Sequence, residues 1–168
     1  MIETTRLIIK PLTYEQLKKY IRLDNSLEKE LNLRATSRTI SAELKEALEQ
    51  TILPAVADQN KNYLFSTIWT IILKEENKMV GDLCFVGEPN PNGEVEIGYG
   101  TYEEFRKKGF MREAVGGIIE WAKKQPKIKT IIASTEKSNY DSSSVLEKNN
   151  FIKSGETETL NHWRLKIV

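Results

Sequence analysis

Apolar and polar residues alternate along Leu7–Leu12, a period of two that predicts a half-buried strand ending at Pro11 and Thr13. Thr13 is a good cap for a helix to about Leu23, with Leu17, Tyr20 and Ile21 on one face. Residues 24–40 are polar, mixed in charge and without a clear period. Ser41 predicts another cap, and Leu44, Ala47, Leu48 and Ile52 recur at helical spacing until Pro54, which kinks or ends the helix. Leu64–Leu73 and Met79–Val86 read as strands joined by a hairpin turn at Lys74–Lys78. The loop Gly87–Gly93, with Pro89 and Pro91, is the clearest break in the pattern. Glu94–Thr101 then resumes the same sheet, so the loop is no domain boundary. A helix over 110–124, a strand Ile128–Thr135, a helix over 141–149 and a closing hairpin, Phe151–Thr157 with Leu160–Val168, complete the chain. This order predicts a mixed α/β sheet flanked by helices, in a single domain over residues 1–168.

Composition narrows the function classes. Charged residues make up 29% of the chain but nearly cancel, leaving a net charge of +1, which argues against a dedicated nucleic-acid or membrane-surface protein. Cys84 is the sole cysteine, so no disulfide framework or cysteine-based metal site is expected. The chain does not open on a signal-peptide pattern, and Leu64–Leu73 is too short to cross a bilayer. A soluble cytoplasmic protein is the expectation, as monomer or homodimer.

Chemistry concentrates in Gly98–Met111. The pattern there is a strand running into a loop, then a helix starting near Phe110. The loop sets Arg106, Lys107, Lys108 and Gly109 at the helix N-terminus, whose first N–H groups lack intrahelical partners and carry the positive end of the dipole. Such a terminus binds phosphate where the backbone can be approached closely, which Gly109 permits. Within the helix, Gly116-Gly117 costs roughly 1 kcal/mol per Gly relative to Ala and implies close packing against a sheet or ligand.

Three segments in order carry a resemblance: Glu96-Ile97-Gly98-Tyr99; Arg106-x-x-Gly109-x-Met111 with Glu113-Ala114; and Asn139-x-x-Ser142-x-x-Val145-Leu146-Glu147-Lys148. Together they resemble the GNAT acyltransferase superfamily, and Thr5–Thr13 is similar to the first strand of its ribosomal-protein-alanine acetyltransferase branch. The resemblance implies a central, mostly antiparallel sheet with two splayed strands. It also implies acetyl-CoA as donor, with its pyrophosphate on the backbone of Arg106, Lys107, Lys108, Gly109, Phe110 and Met111. The pantetheine arm would then lie along Gly100, Thr101 and Tyr102, with Asn139 and Ser142 as further contacts. The implied reaction is direct transfer to an amine acceptor, on a protein N-terminus or a small molecule, in a ternary complex. A non-catalytic acyl-CoA-binding module is the alternative.

Amine attack requires loss of the ammonium proton, directly or through water. Glu96 matches the family's Glu and is the candidate base, with Glu94 on the same strand face; both equally fit the wet side of a half-exposed strand. The leaving thiolate needs a proton. Glu147 stands at the position matching the Tyr acid that some members of the resembled family use in this helix, which leaves Ser142, Tyr140 or water. Asn139 and Ser142 could instead serve as helix caps, and Ser144-x-x-Glu147 fits a capping box. Asn149-Asn150-Phe151 replaces the family's Gly-Phe, a tolerable change because Asn enters the left-handed region readily. Cys84 reads as a packing residue and His162 as solvated. The resemblance implies that the helical region up to Pro54 packs over the sheet and contributes to the acceptor site.

Overall fold

The computed structural model describes residues 1–168. Eight strands form one sheet in the spatial order β1-β2-β3-β4-β5-β6-β8-β7. They are β1 (Ile2–Glu3), β2 (Leu7–Pro11), β3 (Ile68–Leu73), β4 (Lys78–Phe85), β5 (Glu94–Thr101), β6 (Thr130–Glu136), β7 (Ile152–Glu156) and β8 (Leu160–Lys166). Every neighbouring pair is antiparallel except β5–β6. That parallel contact covers only Glu94–Glu96 against Thr130–Ile132; beyond it the two strands have no paired residues.

Each face of the sheet has its own helical cover. On one, α5 (Phe110–Lys123) and α6 (Tyr140–Lys148) close the larger core, which contains Ile9, Trp69, Leu83, Ile97, Val115 and Ile118. On the other, α1 (Tyr14–Arg22), α2 (Ser26–Glu30), α3 (Ala42–Ala47) and α4 (Leu53–Ala57) lie over β2–β4, burying Leu12, Leu17, Leu27, Leu48, Ile68 and Met79. No helix is long and apolar enough to cross a membrane.

Local chemistry accounts for the boundaries. Thr13 forms a full capping box with Gln16, and Ser41 Oγ accepts from the Leu44 N–H. Pro54 does not end its helix: a π-helical turn over Leu48–Ile52 precedes it, and Pro54 falls in the first turn of α4, where its missing N–H is not needed. The strand expected from Leu64 begins at Ile68, because Tyr63–Phe65 form a 3-10 turn capped by Asn62. Gly117 explains one interruption in α5. A Cβ there would lie 3.0 Å from Thr4 Cγ2 and 3.3 Å from Ile2 and Ile9, so the glycine lets the helix settle on β1 and β2. Asn139, not Ser144, caps α6, by accepting from the Ser142 N–H. Asn150 takes the left-handed conformation after α6, at φ 67°, in the place of the family's glycine.

Candidate active site

Past Glu96, β5 remains paired with β4 up to Thr101 but has no partner on its β6 side. Two cavities open around this unpaired segment. The first, of about 580 Å³, lies between β5, the loop after it, and the N-termini of α5 and α6. Gly100, Thr101, Arg106, Lys107, Gly109, Phe110, Met111, Asn139 and Ser142 line it, so nine of the residues singled out in the sequence come together there. Tyr99, Arg112, Asp141, Ser144, Val145 and Lys148 contribute to the same lining.

The loop entering α5 is held in an unusual backbone shape. Lys107 has φ 63° and Gly109 φ 79°, both left-handed. The Arg106 Nε–H turns back to donate to the Thr101 carbonyl at 3.1 Å. Gly109 caps the helix with no side chain in the way. The backbone N–H groups at the start of α5 therefore face a concave, basic surface, an arrangement suited to a diphosphate. Arg6 and Glu113 clamp this loop from outside: Arg6 Nη1 donates to the Lys108 carbonyl at 3.1 Å, and its Nε donates to Glu113 at 2.7 Å.

The second cavity, of about 1060 Å³, lies on the other side, beneath α1 and the irregular segment that follows α2. Both cavities share Tyr99, Gly100, Thr101 and Arg106. The Tyr99 hydroxyl donates to the Ser142 carbonyl at 2.9 Å and accepts from Ser142 Oγ at 3.1 Å. Burial pushes this phenol up to about 12, with the Ser142 hydroxyl pulling the other way.

At the wall of the second cavity stands a cluster the sequence did not single out. Asp82, paired across β4–β5 with Gly100, accepts at Oδ2 from the Tyr20 hydroxyl at 2.6 Å and the Tyr102 hydroxyl at 2.9 Å. Desolvation drives its carboxyl up to about 6, although both phenols and Arg38 favour the charged form. Burial and the Asp82 charge in turn hold both phenols well above their usual range. Arg38 sits with its guanidinium 4.2 Å from the Tyr20 ring centre, donates to the Tyr20 carbonyl at 2.7 Å, and pairs with buried Glu28 at 3.3 Å. This ties the segment between α2 and α3, otherwise without regular structure, to the cavity.

Several sequence candidates stand elsewhere. Tyr102 turns into the second cavity rather than the first. Lys108 lines neither, and its ammonium lies 5.7 Å from the Phe105 ring centre. Glu96 lines neither cavity; it shares the strand face of Gly98 and Gly100, two residues short of the second cavity. Glu94 is engaged by Arg164 at 2.6 Å and Asn90 at 3.1 Å, which hold its carboxyl below the usual range. His162 Nδ1 is 2.9 Å from Ser134 Oγ on β6, outside both cavities. Tyr140 is 80% exposed, also outside both. Cys84 is half-buried on the wall of the second cavity, not in the α5 core, and burial with the Asp82 charge pushes its thiol up to about 11. The one signal that marked Asp82 in the sequence is an acid within the otherwise apolar run Met79–Val86.

This fold has known counterparts. An uncharacterized N-acetyltransferase of Bacillus subtilis (strain 168), YjdG, is 28% identical over 163 residues, covering 97% of this chain and 96% of the relative. Among solved structures, the ribosomal-protein-S5-alanine acetyltransferase of Vibrio fischeri superposes with a TM-score of 0.70 at 20% identity, over 98% of this chain and 94% of that one. RimL, a ribosomal L7/L12 α-N-protein acetyltransferase in complex with coenzyme A, gives 0.67 at 18% identity, over 97% and 95%. The model of the acetyltransferase (GNAT) domain matches residues 6–152, which contain β2–β6, the loop before α5 and the lining of both cavities; the chain belongs to the GNAT family and is an N-acetyltransferase.

Proposed function

We propose that residues 1–168 form one catalytic domain that moves an acetyl group from acetyl-CoA to a primary amine, on a protein N-terminus or a small molecule, by direct attack in a ternary complex. One observation carries this reading: two cavities meet at Tyr99–Thr101, where β5 has an unpaired edge. An amide-bearing pantetheine arm can add to such an edge through main-chain hydrogen bonds at Gly100 and Thr101. The diphosphate would meet the N–H groups following Gly109, with Arg106, Lys107, Phe110, Met111, Asn139 and Ser142 around it. The acceptor would enter through the second cavity and reach the thioester at the shared segment.

The nucleophile must be an uncharged amine. Glu96, on the strand face toward the acceptor side, serves as the final protein station for the amine's proton, through water. Ser142, bonded to the Tyr99 hydroxyl where the cavities join, supplies a donor near the leaving sulfur. A protein N-terminus stands among the acceptors because fold relatives are named for modifying ribosomal proteins. The test is release of free CoA thiol from acetyl-CoA with a panel of peptide N-termini, polyamines, alkylamines and amino acids. Turnover with at least one primary amine is expected; acetyl-CoA binding with no turnover across the panel defeats the reading.

A further inference from the structure

The Asp82 carboxylate is half used. Oδ2 accepts two phenolic hydrogens, while Oδ1, shut off from bulk water, has no hydrogen-bond partner. An ionised carboxylate offers about four acceptor positions, so Oδ1 keeps acceptor capacity that no group of the protein fills. Asp82 lines the second cavity and lies directly across the ladder from Gly100, in the segment both cavities share. Two tyrosines from separate elements, one on α1 and one just after β5, fix its rotamer. Arg38 does not neutralise it as an ion pair; it is taken up by Glu28 and the Tyr20 carbonyl.

We infer that Asp82 is the group that meets the acceptor's ammonium in the cavity and takes its proton, with Tyr20 and Tyr102 holding the carboxylate in position. This rests on the acetyl-transfer reading and refines it: the acceptor class is an alkyl primary amine, cationic in solution, rather than an arylamine. One N–H proton passes to Asp82 and on through water to Glu96 and solvent. The freed lone pair attacks the acetyl carbon, the new C–N bond forms as the C–S bond breaks, and the second proton lost by nitrogen ends on the CoA sulfur. Asp82 can release its proton again because desolvation has already made its two forms comparable near pH 6.

The charged and titratable groups around Asp82 are few. Tyr20 faces it from α1, Arg38 from the segment after α2, Tyr102 from the end of β5, and Cys84 from its own strand. Tyr99, Glu103, Glu104 and Arg106 complete the ionisable lining of the cavity. The two phenols and the thiol stay protonated through neutral pH, which leaves Asp82 as the member of this group that titrates near 6.

The test compares phenethylamine, peptide amines and 4-ethylaniline as acceptors for the full chain, its Asp82→Asn variant and its Glu96→Gln variant. Asn keeps an oxygen for both tyrosines but can neither hold the ammonium by charge nor accept its proton. The expected result has three parts. For the alkylamines, Asp82→Asn lowers kcat/KM about 100-fold or more, with a raised acceptor KM. The acidic limb of kcat/KM near pH 6 disappears. Affinity for acetyl-CoA by calorimetry stays within about 3-fold, as expected for a residue outside the donor cavity. Glu96→Gln lowers kcat without raising the acceptor KM. Tyr102→Phe, which removes one donor to the carboxylate, shifts the acidic limb upward and gives an independent readout if the Asn variant does not fold. Wild-type acceptor KM and an unchanged acidic limb in folded Asp82→Asn overturn the assignment to Asp82 while leaving the acetyl-transfer reading in place. So does a wild-type enzyme that uses 4-ethylaniline as well as phenethylamine. A wild-type enzyme that turns over no primary amine removes both.

Discussion

Arg6 and Glu113, 107 residues apart, meet as a charge-assisted pair with Nε 2.7 Å from Oε2. Glu113 Oε1 also accepts from the Arg6 backbone N–H and the Thr4 hydroxyl, each at 2.7 Å. Arg6 covers the Phe110 ring at 4.6 Å and holds the Lys108 carbonyl. The turn between β1 and β2 thus clamps the loop before α5 without lining the cavity.

Loosening that clamp should weaken the donor site indirectly. Glu113→Ala removes a partly buried acceptor of three hydrogen bonds and should cost about 2 kcal/mol. For a chain of this size that lowers Tm by roughly 4–8 °C, and the KM for acetyl-CoA should rise with kcat little changed. Burial alone would raise the Glu113 carboxyl, but Thr4 and Arg6 outweigh it and hold it below the usual range. A depressed carboxylate stabilises the fold above its unfolded pKa and loses that contribution as pH falls through the folded value. The stability gap between wild type and Glu113→Gln should therefore be full at pH 7 and close in acid; chemical denaturation at a series of pH values decides it.

Gly109→Val should sharply weaken acetyl-CoA binding. A side chain at φ 79° is strained, and its branch would stand where a phosphate must approach the α5 amides. Lys107→Gly separates the two effects. It relieves a left-handed lysine at φ 63° and should leave affinity nearly intact, because an exposed cation adds little beside oriented amides. Calorimetric titration with acetyl-CoA reads both variants; unchanged affinity in folded Gly109→Val rules out the phosphate-loop assignment.

Cys84→Ala should retain acetyl transfer. With its thiol pushed up to about 11, Cys84 is not a thiolate at neutral pH and is a poor nucleophile, even though it borders the second cavity. An acetylated Cys84 trapped by mass spectrometry, together with an inactive alanine variant, would establish a ping-pong route instead.

Glu96→Gln should lower kcat about 100- to 10,000-fold if the proton leaves through it, with little change in the KM for acetyl-CoA. The defect should shrink as pH rises toward the acceptor's own pKa, where solvent supplies the neutral amine. A loss of the same size at every pH between 6 and 9 assigns Glu96 a scaffold role.

The donor side of the molecule was legible because it depends on backbone signals. Gly109 marks the close approach, Arg106 and Lys107 the charge, and Asn139 and Ser142 the start of α6; these come together around one cavity. The acceptor side was not, because its parts are scattered. Tyr20 looks like a helix-core residue, Arg38 lies in a segment without periodicity, and Asp82 interrupts an apolar strand. Only the register of β4 on β5 and the packing of α1 bring them within hydrogen-bonding distance. The direction of the Tyr102 side chain was not legible for the same reason. Residue spacing gives the face of a strand but not the turn its last residue makes into the 3-10 helix Glu103–Phe105.

The three-residue register between β5 and β6 joins the two parts of the sheet by a narrow seam rather than along a full strand length. β1–β5 lie on one side of the seam and β6–β8 on the other, with α5 the longest element packed across the join. A molecule that fills the opening acts as a rivet, supplying the main-chain bonds that the sheet itself omits. Its binding energy then adds to the global stability of the fold by mass action. If acetyl-CoA is the molecule that fills it, the loaded enzyme should unfold at a higher temperature than the empty one.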